Sequence, residues 1–311
     1  MKKQDHYTEI ANRVATAIDE VLTGKREAPP WVRPWNAVGT PHNGSSGHEY
    51  RGMNVWLTWI ASYADPRWYT FGQVQKINGF EKAGRGWKWA GNGDAPSGLG
   101  VRKGQKGTKI TFWKKMTKRD RDDDGTETLK SFMMLKVYTV FNHEQINWAP
   151  GKERPLADLE VLAEDPRETY NNAQDFVDAT GAEITHDAAG AWYIPGEDRI
   201  QLPPATRFHT PDSYWSACLH ELGHWTKKPE RCDRDLDRAM EELVAELTSS
   251  FLCCDLGIRN ELHPENEAYL VHWAGHLREQ PKAIFTAASK ARLAAEYLTD
   301  AAGSDVDALA A

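Results

Sequence analysis

The segment from Leu219 to Trp225 contains an H-E-x-x-H motif, and this spacing constrains the chain more than any other feature. On an α-helix, side chains four positions apart point the same way, so His220 and His224 can share one metal ion. Glu221 lies beside them, where a carboxylate can polarise a coordinated water. The apolar residues around the motif predict a buried helix in a dry cavity.

A second predicted helix downstream supplies candidates for a third ligand. Residues 239–247 contain glutamates along an apolar stripe, and Glu242 and Glu246 are four apart and share a face. Glu242 follows His224 by 18 residues, a gap typical of a ligand on a packed second helix. We therefore assign Glu242 to the metal and Glu246 to the other N–H of a histidine ring, with Glu241 as the fallback ligand. The open alternative is a solvated acidic face.

Other metal-site patterns fit less well. A metzincin would continue with glycine and histidine where this chain has Lys227 and Glu230, which excludes that class. The remaining histidine alternatives for a ligand are His263, His272 and His276. Two histidines and one glutamate suit several divalent ions, so we predict Zn²⁺ and keep Mn²⁺ or another divalent ion open.

Charge is divided unevenly along the chain. Residues 1–150 contain 23 Lys and Arg against 15 Asp and Glu, whereas residues 151–311 contain 15 against 30. A basic front half and an acidic rear half predict two domains with different partners. We place them at residues 1–148 and 156–300, on either side of a linker that contains proline and glycine.

The front half mixes helical and alternating patterns, which predicts an α+β domain. Its expected elements are helices at 6–23, 56–63 and 71–77, and strands at 109–114 and 132–141 joined by a polar tip at 119–128. The glycine- and tryptophan-rich residues 79–100 are expected to form an irregular insertion. The rear half is expected to contain a helix at 170–180, a hairpin turning at Gly196 and a helical end at 265–298.

Nine of the thirteen tryptophans precede residue 150, and several adjoin basic residues. Basic groups attract phosphates, and exposed aromatic rings stack on unpaired bases, at about 1–3 kcal/mol per base. This composition favours single-stranded nucleic acid. The alternative, which composition alone favours slightly, is that the tryptophans form a core and the lysines solubilise it.

The chain contains no apolar run of membrane-spanning length and no signal-peptide pattern. Its four cysteines include no C-x-x-C pair. We therefore expect a cytoplasmic protein with reduced thiols and no membrane partner.

Short motifs occur at residues 28–36, 50–54, 101–108, 138–142, 219–226, 241–246 and 283–289. Together they resemble those of the ArdC-type antirestriction proteins of conjugative plasmids and phages, over about residues 6–300. The resemblance implies an N-terminal mixed α/β domain that binds single-stranded DNA, followed by a zincin-like metallopeptidase domain. It also implies protection of incoming DNA from host restriction. Relatives run straight into the basic turn where this chain has its insertion.

The resemblance gives weight to DNA binding by the front domain. The candidate contacts are Arg33, Trp35, Arg51, Asn54, Arg102, Lys103, Lys106 and Lys109. The implied partners are single-stranded DNA and a protein substrate, with host restriction machinery as a candidate.

The sequence thus predicts an antirestriction protein with a zinc-dependent peptidase site. In this interpretation Glu221 takes a proton from the attacking water and passes it to the leaving amine. One alternative is a non-catalytic protein that masks single-stranded DNA and has a structural metal site. Another is a peptidase that processes a polyprotein and needs no affinity for DNA.

Overall fold

The structure is a computed structural model that describes residues 5–32, 40–121, 127–153, 166–261 and 267–303. The helices are α1 (His6–Leu22), α2 (Met53–Trp59), α3 (Phe71–Ile77), α4 (Pro166–Ala179), α5 (Pro211–Trp225), α6 (Arg238–Asp255), α7 (Glu267–Glu279) and α8 (Ala283–Ala301). The strands are β1 (His42–Asn43), β2 (Arg67–Thr70), β3 (Phe80–Ala83), β4 (Gly86–Trp89), β5 (Gly100–Val101), β6 (Thr108–Arg121), β7 (Glu127–Asn142), β8 (Ile146–Asn147), β9 (Glu183–Thr185), β10 (Trp192–Ile194) and β11 (Arg199–Gln201). The predicted α+β class is confirmed.

The described residues form two compact units that do not follow the chain in order. The first unit takes in the described parts of 1–37, 51–62 and 161–311, and the second those of 38–50 and 63–160. The first two helices therefore pack with the rear helices. The boundaries at 1–148 and 156–300 concern continuous segments of sequence, and they stay a prediction.

The first unit has a helical core that begins with α1. Asp5 caps this helix by accepting a hydrogen bond from the Tyr7 backbone N–H. Ile10, Val14 and Ile18 recur on one face at helical spacing and are at most 1% exposed. That face packs against α7, while α6 packs against both α5 and α8. The apolar face of α1 therefore belongs to the same core as the rear helices.

Helix α2 ends earlier than the sequence predicted. The pattern indicated a helix at 56–63, but α2 covers Met53–Trp59. Ser62 has a φ of 57°, which a right-handed helix cannot accommodate, so the helix cannot reach residue 63. In contrast, α3 begins after Thr70 as predicted, because Thr70 and Gln73 form a capping box.

The second unit is built on a four-stranded sheet with the order β1-β2-β7-β6. β6 and β7 pair antiparallel from Thr108 opposite Val140 to Arg121 opposite Glu127. The predicted polar tip at 119–128 was therefore too long, since residues 119–121 and 127–128 belong to the strands, and residues 122–126 lie outside the described residues. The outer parts of both strands are polar and basic in sequence. They lack the apolar alternation by which strands are recognised, so the prediction made the strands too short.

The predicted irregular insertion contains a regular hairpin. β3 and β4 pair antiparallel from Phe80 opposite Trp89 to Ala83 opposite Gly86. The Phe80 and Trp89 rings contact edge to face at 5.3 Å between centroids. This cross-strand pair stabilises a hairpin that the glycine-rich composition conceals.

The rear half holds the predicted hairpin, formed by β10 and β11, with β9 parallel to β11. Its predicted helical end divides into α7 and α8 on either side of Pro281, because proline has no N–H to donate and restricts the residue before it. Among the described residues, no helix is both long and apolar enough to cross a membrane.

Candidate metal centre

The centre lies on α5 and α6, and the ends of both helices are defined by capping side chains. Thr210 caps α5 by accepting a hydrogen bond from the Ser213 N–H, and Pro211 occupies the first turn, where no N–H is needed. Asp237 caps α6 by accepting from the Met240 N–H. Because the caps set where each helix begins, they determine which side chains face the other helix.

Gly223 allows the two helices to approach closely. A Cβ atom at this position would lie 3.0 Å from the Ala245 Cα and 3.2 Å from its carbonyl oxygen, too close for any other residue without displacement. Ala245 adjoins Glu246 and lies one turn from Glu242. The glycine inside the H-E-x-x-H motif therefore brings the glutamates of α6 within reach of the histidines of α5.

Three side chains converge where the helices meet. The Nε2 atoms of His220 and His224 each lie 3.4 Å from Oε2 of Glu242. One potential ligand atom from each of the three lies within 4.8 Å of the others. Two imidazole nitrogens and one carboxylate oxygen fit a divalent transition-metal ion. The Glu242 side chain is 19% exposed, so the site is open to solvent on that side.

Other candidate ligands are not brought into the centre. His272 and His276 stack on α7 with ring centroids 6.0 Å apart, and within the described part of the chain neither belongs to a group of three potential ligands. His263 lies outside the described residues.

Each histidine ring has a second carboxylate at its other nitrogen. Oε2 of Glu246 lies 3.3 Å from Nδ1 of His220, and Oε1 of Glu241 lies 3.3 Å from Nδ1 of His224. Glu241, the expected fallback ligand, instead lies at Nδ1 of His224, because consecutive helical residues point about 100° apart. The two outer carboxylates orient the rings so that both Nε2 atoms face Glu242.

The outer carboxylates are themselves held by buried donors that sequence analysis missed. The indole Nε1 of Trp31 donates to Oε1 of Glu246 at 3.1 Å. Arg234 donates from Nε and Nη2 to the two oxygens of Glu241, at 3.2 and 2.9 Å, and its side chain is 1% exposed. Trp31 precedes Glu246 by 215 residues, so no local pattern could have connected them.

The electrostatics of the centre favour protonated imidazoles in the ion-free site. Burial by itself lowers the pKa of His220, but the carboxylates of Glu242 and Glu246 outweigh it and raise that pKa. The pKa of His224 is raised in the same way by Glu241 and Glu242. At Glu242 the direction is reversed. Burial by itself raises the pKa of this carboxyl, but the two imidazoles outweigh it and lower that pKa. A cation that enters must displace these protons, so its binding is coupled to proton release.

Glu221 differs from the other glutamates of the centre. It is 4% exposed, yet within the described part of the chain its carboxylate forms no hydrogen bond or ion pair. The carboxylates of Glu241, Glu242 and Glu246 each have a histidine partner. Glu221 is therefore available to accept a proton.

The predicted DNA-contact residues fall in different parts of the structure. Arg33 and Trp35 lie outside the described residues. Arg51 is exposed in the first unit. Asn54 belongs to α2 and is only 9% exposed, so its side chain offers little surface to a DNA strand.

The basic turn before β6 belongs to the second unit and contains Arg102, Lys103 and Lys106, all exposed. Gln145 holds this turn by donating from Nε2 to the Lys106 carbonyl at 2.9 Å and accepting from the Arg102 N–H at 2.9 Å. Lys109 follows on β6, half-buried, and donates from Nζ to Oγ1 of Thr139 at 2.9 Å. The structure thus groups four of the predicted residues along one turn and strand.

Comparisons with known proteins assign two successive parts of the chain to known families. Residues 4–141 match the family described as the N-terminal domain of anti-restriction factor ArdC, and residues 171–290 match the zincin-like metallopeptidase family. The crystal structure of metal-free antirestriction protein ArdC from plasmid R388 shares 32% identity at a TM-score of 0.69, covering 96% of this chain and 98% of that one. Its Mn(II)-bound structure shares 29% identity at a TM-score of 0.65, covering 97% of this chain and 100% of that one.

Two curated relatives are also similar. The uncharacterized protein y4eC of Sinorhizobium fredii (strain NBRC 101917 / NGR234) is 32% identical over 94% of this chain and 91% of its own length. The DNA primase TraC of Escherichia coli is 31% identical over 95% of this chain but only 27% of its own length. The chain therefore corresponds to about a quarter of that primase.

Proposed function

Because this chain belongs to the ArdC-type antirestriction family and has its zincin-like domain, we propose that it binds single-stranded DNA and hydrolyses peptide bonds at a divalent-metal site. Through these activities it protects incoming plasmid or phage DNA. The observation that carries the peptidase proposal is the convergence of His220, His224 and Glu242, together with the buried Glu221 carboxylate, which forms no hydrogen bond or ion pair within the described part of the chain.

In this proposal His220, His224 and Glu242 hold the ion, and Glu241 and Glu246 keep the imidazoles in place. Zn²⁺ is the preferred ion, and the Mn(II)-bound relative supports Mn²⁺ as the other candidate. A divalent ion at such a site supplies a Lewis acid that polarises a carbonyl and lowers the pKa of a water toward about 7.

Glu221 acts as the general base of the proposed reaction. Its carboxylate takes a proton from the water as the new C–O bond forms at the carbonyl carbon. It then gives that proton to the peptide nitrogen, and the C–N bond breaks to release the amine. The substrate is a protein, and host restriction machinery is the candidate class. The free thiols of the described cysteines fit a cytoplasmic site of action.

DNA binding is assigned to the basic turn and the strand after it. Arg102, Lys103, Lys106 and Lys109 present positive charge along a segment that Gln145 holds in place. Such charge attracts the phosphate backbone without regard to sequence. Arg33, Trp35 and Arg51 remain proposed contacts, whereas the burial of Asn54 argues against its direct participation.

The proposed function is tested by metal analysis, DNA binding and proteolysis on the same purified chain. We expect about one divalent ion per chain and cleavage of an unfolded protein that a chelator abolishes. We also expect tighter binding to a single-stranded oligonucleotide than to the duplex of the same sequence. The measurements are elemental analysis, fluorescence anisotropy across a salt series and gel electrophoresis of casein. Binding of metal and DNA without cleavage would indicate a masking protein. Cleavage without DNA affinity would indicate a polyprotein-processing peptidase.

We expect the buried hydrogen bond from Trp31 to contribute to metal affinity. Glu246→Gln should weaken metal binding by about 10–100-fold, because it removes the charge behind His220. Trp31→Phe should weaken it less, by about tenfold, because the charge stays but loses its donor. Competition with a fluorescent metal indicator measures both affinities.

Trp59→Phe is the matched control for Trp31→Phe. Its indole is 5% exposed in the same unit, and its Nε1 has no hydrogen-bond partner among the described residues, so its loss perturbs packing without removing a donor to a carboxylate of the centre. Equal losses of affinity in the two tryptophan variants would assign the Trp31 effect to packing.

A further inference from the structure

β6 and β7 continue as a two-stranded ribbon beyond the rest of their sheet. β2 pairs with β7 only from Val140 to Asn142. From Thr139 toward the tip, β7 pairs with β6 alone among the described strands. Both faces of this ribbon, formed by residues 109–121 and 127–139, lie outside the four-stranded part of the sheet.

An aromatic pair stands on one face of the ribbon, next to the sheet. Phe112 and Tyr138 are 40% and 43% exposed, and their rings meet edge to face with centroids 5.5 Å apart. Tyr138 lies opposite Ile110, which is two residues before Phe112 and 2% exposed. Alternate residues of a strand share a face, so this face passes from buried core to an exposed pair of rings.

Lysines flank the two rings on the same face. Lys136 lies directly opposite Phe112, and Lys114 is exposed two residues after Phe112. These two lysines place positive charge beside the rings, which suits a polyanion better than an apolar protein partner.

The other exposed aromatic residues whose side chains the structure describes lack this combination. Trp192, 42% exposed, donates its indole N–H to Oε1 of Gln201 and lies in the acidic half of the chain. Phe71, 46% exposed, belongs to helix α3 and not to a strand of the ribbon. Rings on a basic strand present π-faces to unpaired bases, whereas a duplex keeps its bases stacked on one another.

We propose that Phe112 and Tyr138 form a base-stacking platform for single-stranded DNA, and that Lys114 and Lys136 contact the adjacent phosphates. The inference rests on the proposed DNA binding and extends it to residues beyond the basic turn. Two rings offer stacking surface to neighbouring bases, and the lysines on either side follow the backbone that joins them. The basic turn then supplies affinity for phosphate, and the ribbon supplies the preference for unpaired bases.

The test compares two probes that differ only in their bases. Anisotropy is measured with the full chain on a fluorescein-labelled oligothymidylate of 20 nucleotides and on an abasic strand of equal length. Removal of one stacking ring corresponds to about 5–150-fold in affinity, so Phe112→Ala with Tyr138→Ala should weaken thymidylate binding at least about tenfold. Binding to the abasic strand should not change, because its phosphates are intact.

Three sets of control variants separate stacking from charge and from folding. Phe71→Ala removes an equally exposed ring from the same unit and should leave both affinities unchanged. Lys114→Gln and Lys136→Gln should weaken both probes alike, and each should reduce the salt slope by about 0.7. Phe112→Trp with Tyr138→Trp restores two stacking surfaces and should recover thymidylate binding, which a purely structural effect would not.

Wild-type affinity for thymidylate in the double alanine variant would overturn the platform and leave DNA binding itself intact. A wild-type chain that does not bind either strand would remove both this inference and the DNA part of the proposed function. A change of oligomeric state in the alanine variant, measured by light scattering without loss of DNA affinity, would identify the rings as a protein contact and overturn the platform.

Discussion

Replacing Glu221 by glutamine should slow peptide-bond hydrolysis by at least about 100-fold while leaving metal content at the wild-type level. The amide has nearly the shape of the carboxylate but cannot accept a proton from water at neutral pH. Within the described part of the chain, the Glu221 carboxylate forms no hydrogen bond or ion pair that the substitution would break. The histidines and Glu242 should therefore still bind the ion.

The measurement is the initial rate of cleavage of an unfolded protein, with metal content determined on the same sample. Glu230→Gln makes the same change at an exposed glutamate just beyond α5 and should not alter the rate. A Glu221→Gln enzyme that cleaves normally would require a different general base. If it loses cleavage but still protects DNA from restriction, protection does not depend on hydrolysis and the masking alternative is favoured.

Removing the carboxylate of Glu242 should abolish tight metal binding. Its Oε2 atom is 3.4 Å from Nε2 of both histidines, so among the described glutamates it alone forms an ion-pair contact with both imidazoles. Glu242→Ala would leave two nitrogen ligands and a water-filled gap. We expect a loss larger than the 10–100-fold range typical of a residue that only orients a ligand.

Glu241→Gln is the control variant for Glu242→Ala. The Glu241 carboxylate accepts hydrogen bonds from Arg234 and, of the two imidazoles, contacts that of His224 at Nδ1. Glu241→Gln should therefore weaken metal binding by no more than about 10–100-fold. Indicator competition measures both affinities at one pH, because imidazole protonation competes with the ion. A stable wild-type complex should also raise the unfolding temperature on metal addition, and Glu242→Ala should lose that rise. A greater loss of metal affinity in Glu241→Gln than in Glu242→Ala would identify Glu241 as the metal ligand and Glu242 as the residue that orients a histidine.

Local patterns were sufficient for the features that depend on helical period and capping. The i to i+4 spacing places His220 and His224 on one side of α5 wherever that helix packs. Thr70 marked the start of α3 because its side chain satisfies an N–H that the helix itself cannot. The shared face of Glu242 and Glu246 on α6 follows from the same helical period.

Patterns failed where stability comes from pairing between segments. The hairpin in the glycine-rich insertion depends on Phe80 meeting Trp89, which composition does not reveal. The length of the ribbon depends on a partner strand that satisfies the backbone, and its polar sequence gives no apolar alternation to follow. Helix α2 stops early because of the backbone conformation at Ser62.

By itself, the sequence determined which side chains could supply the proposed metal ligands, since a helix of known period orients residues four apart without help from the rest of the chain. Only the tertiary structure decided which residues bring the two helices together and hold the glutamates beside the histidines. Gly223 sets the distance between the helices, Arg234 holds Glu241, and Trp31 reaches Glu246 from 215 residues away. Contacts of that kind depend on packing across the core, where separation along the chain says nothing about separation in space.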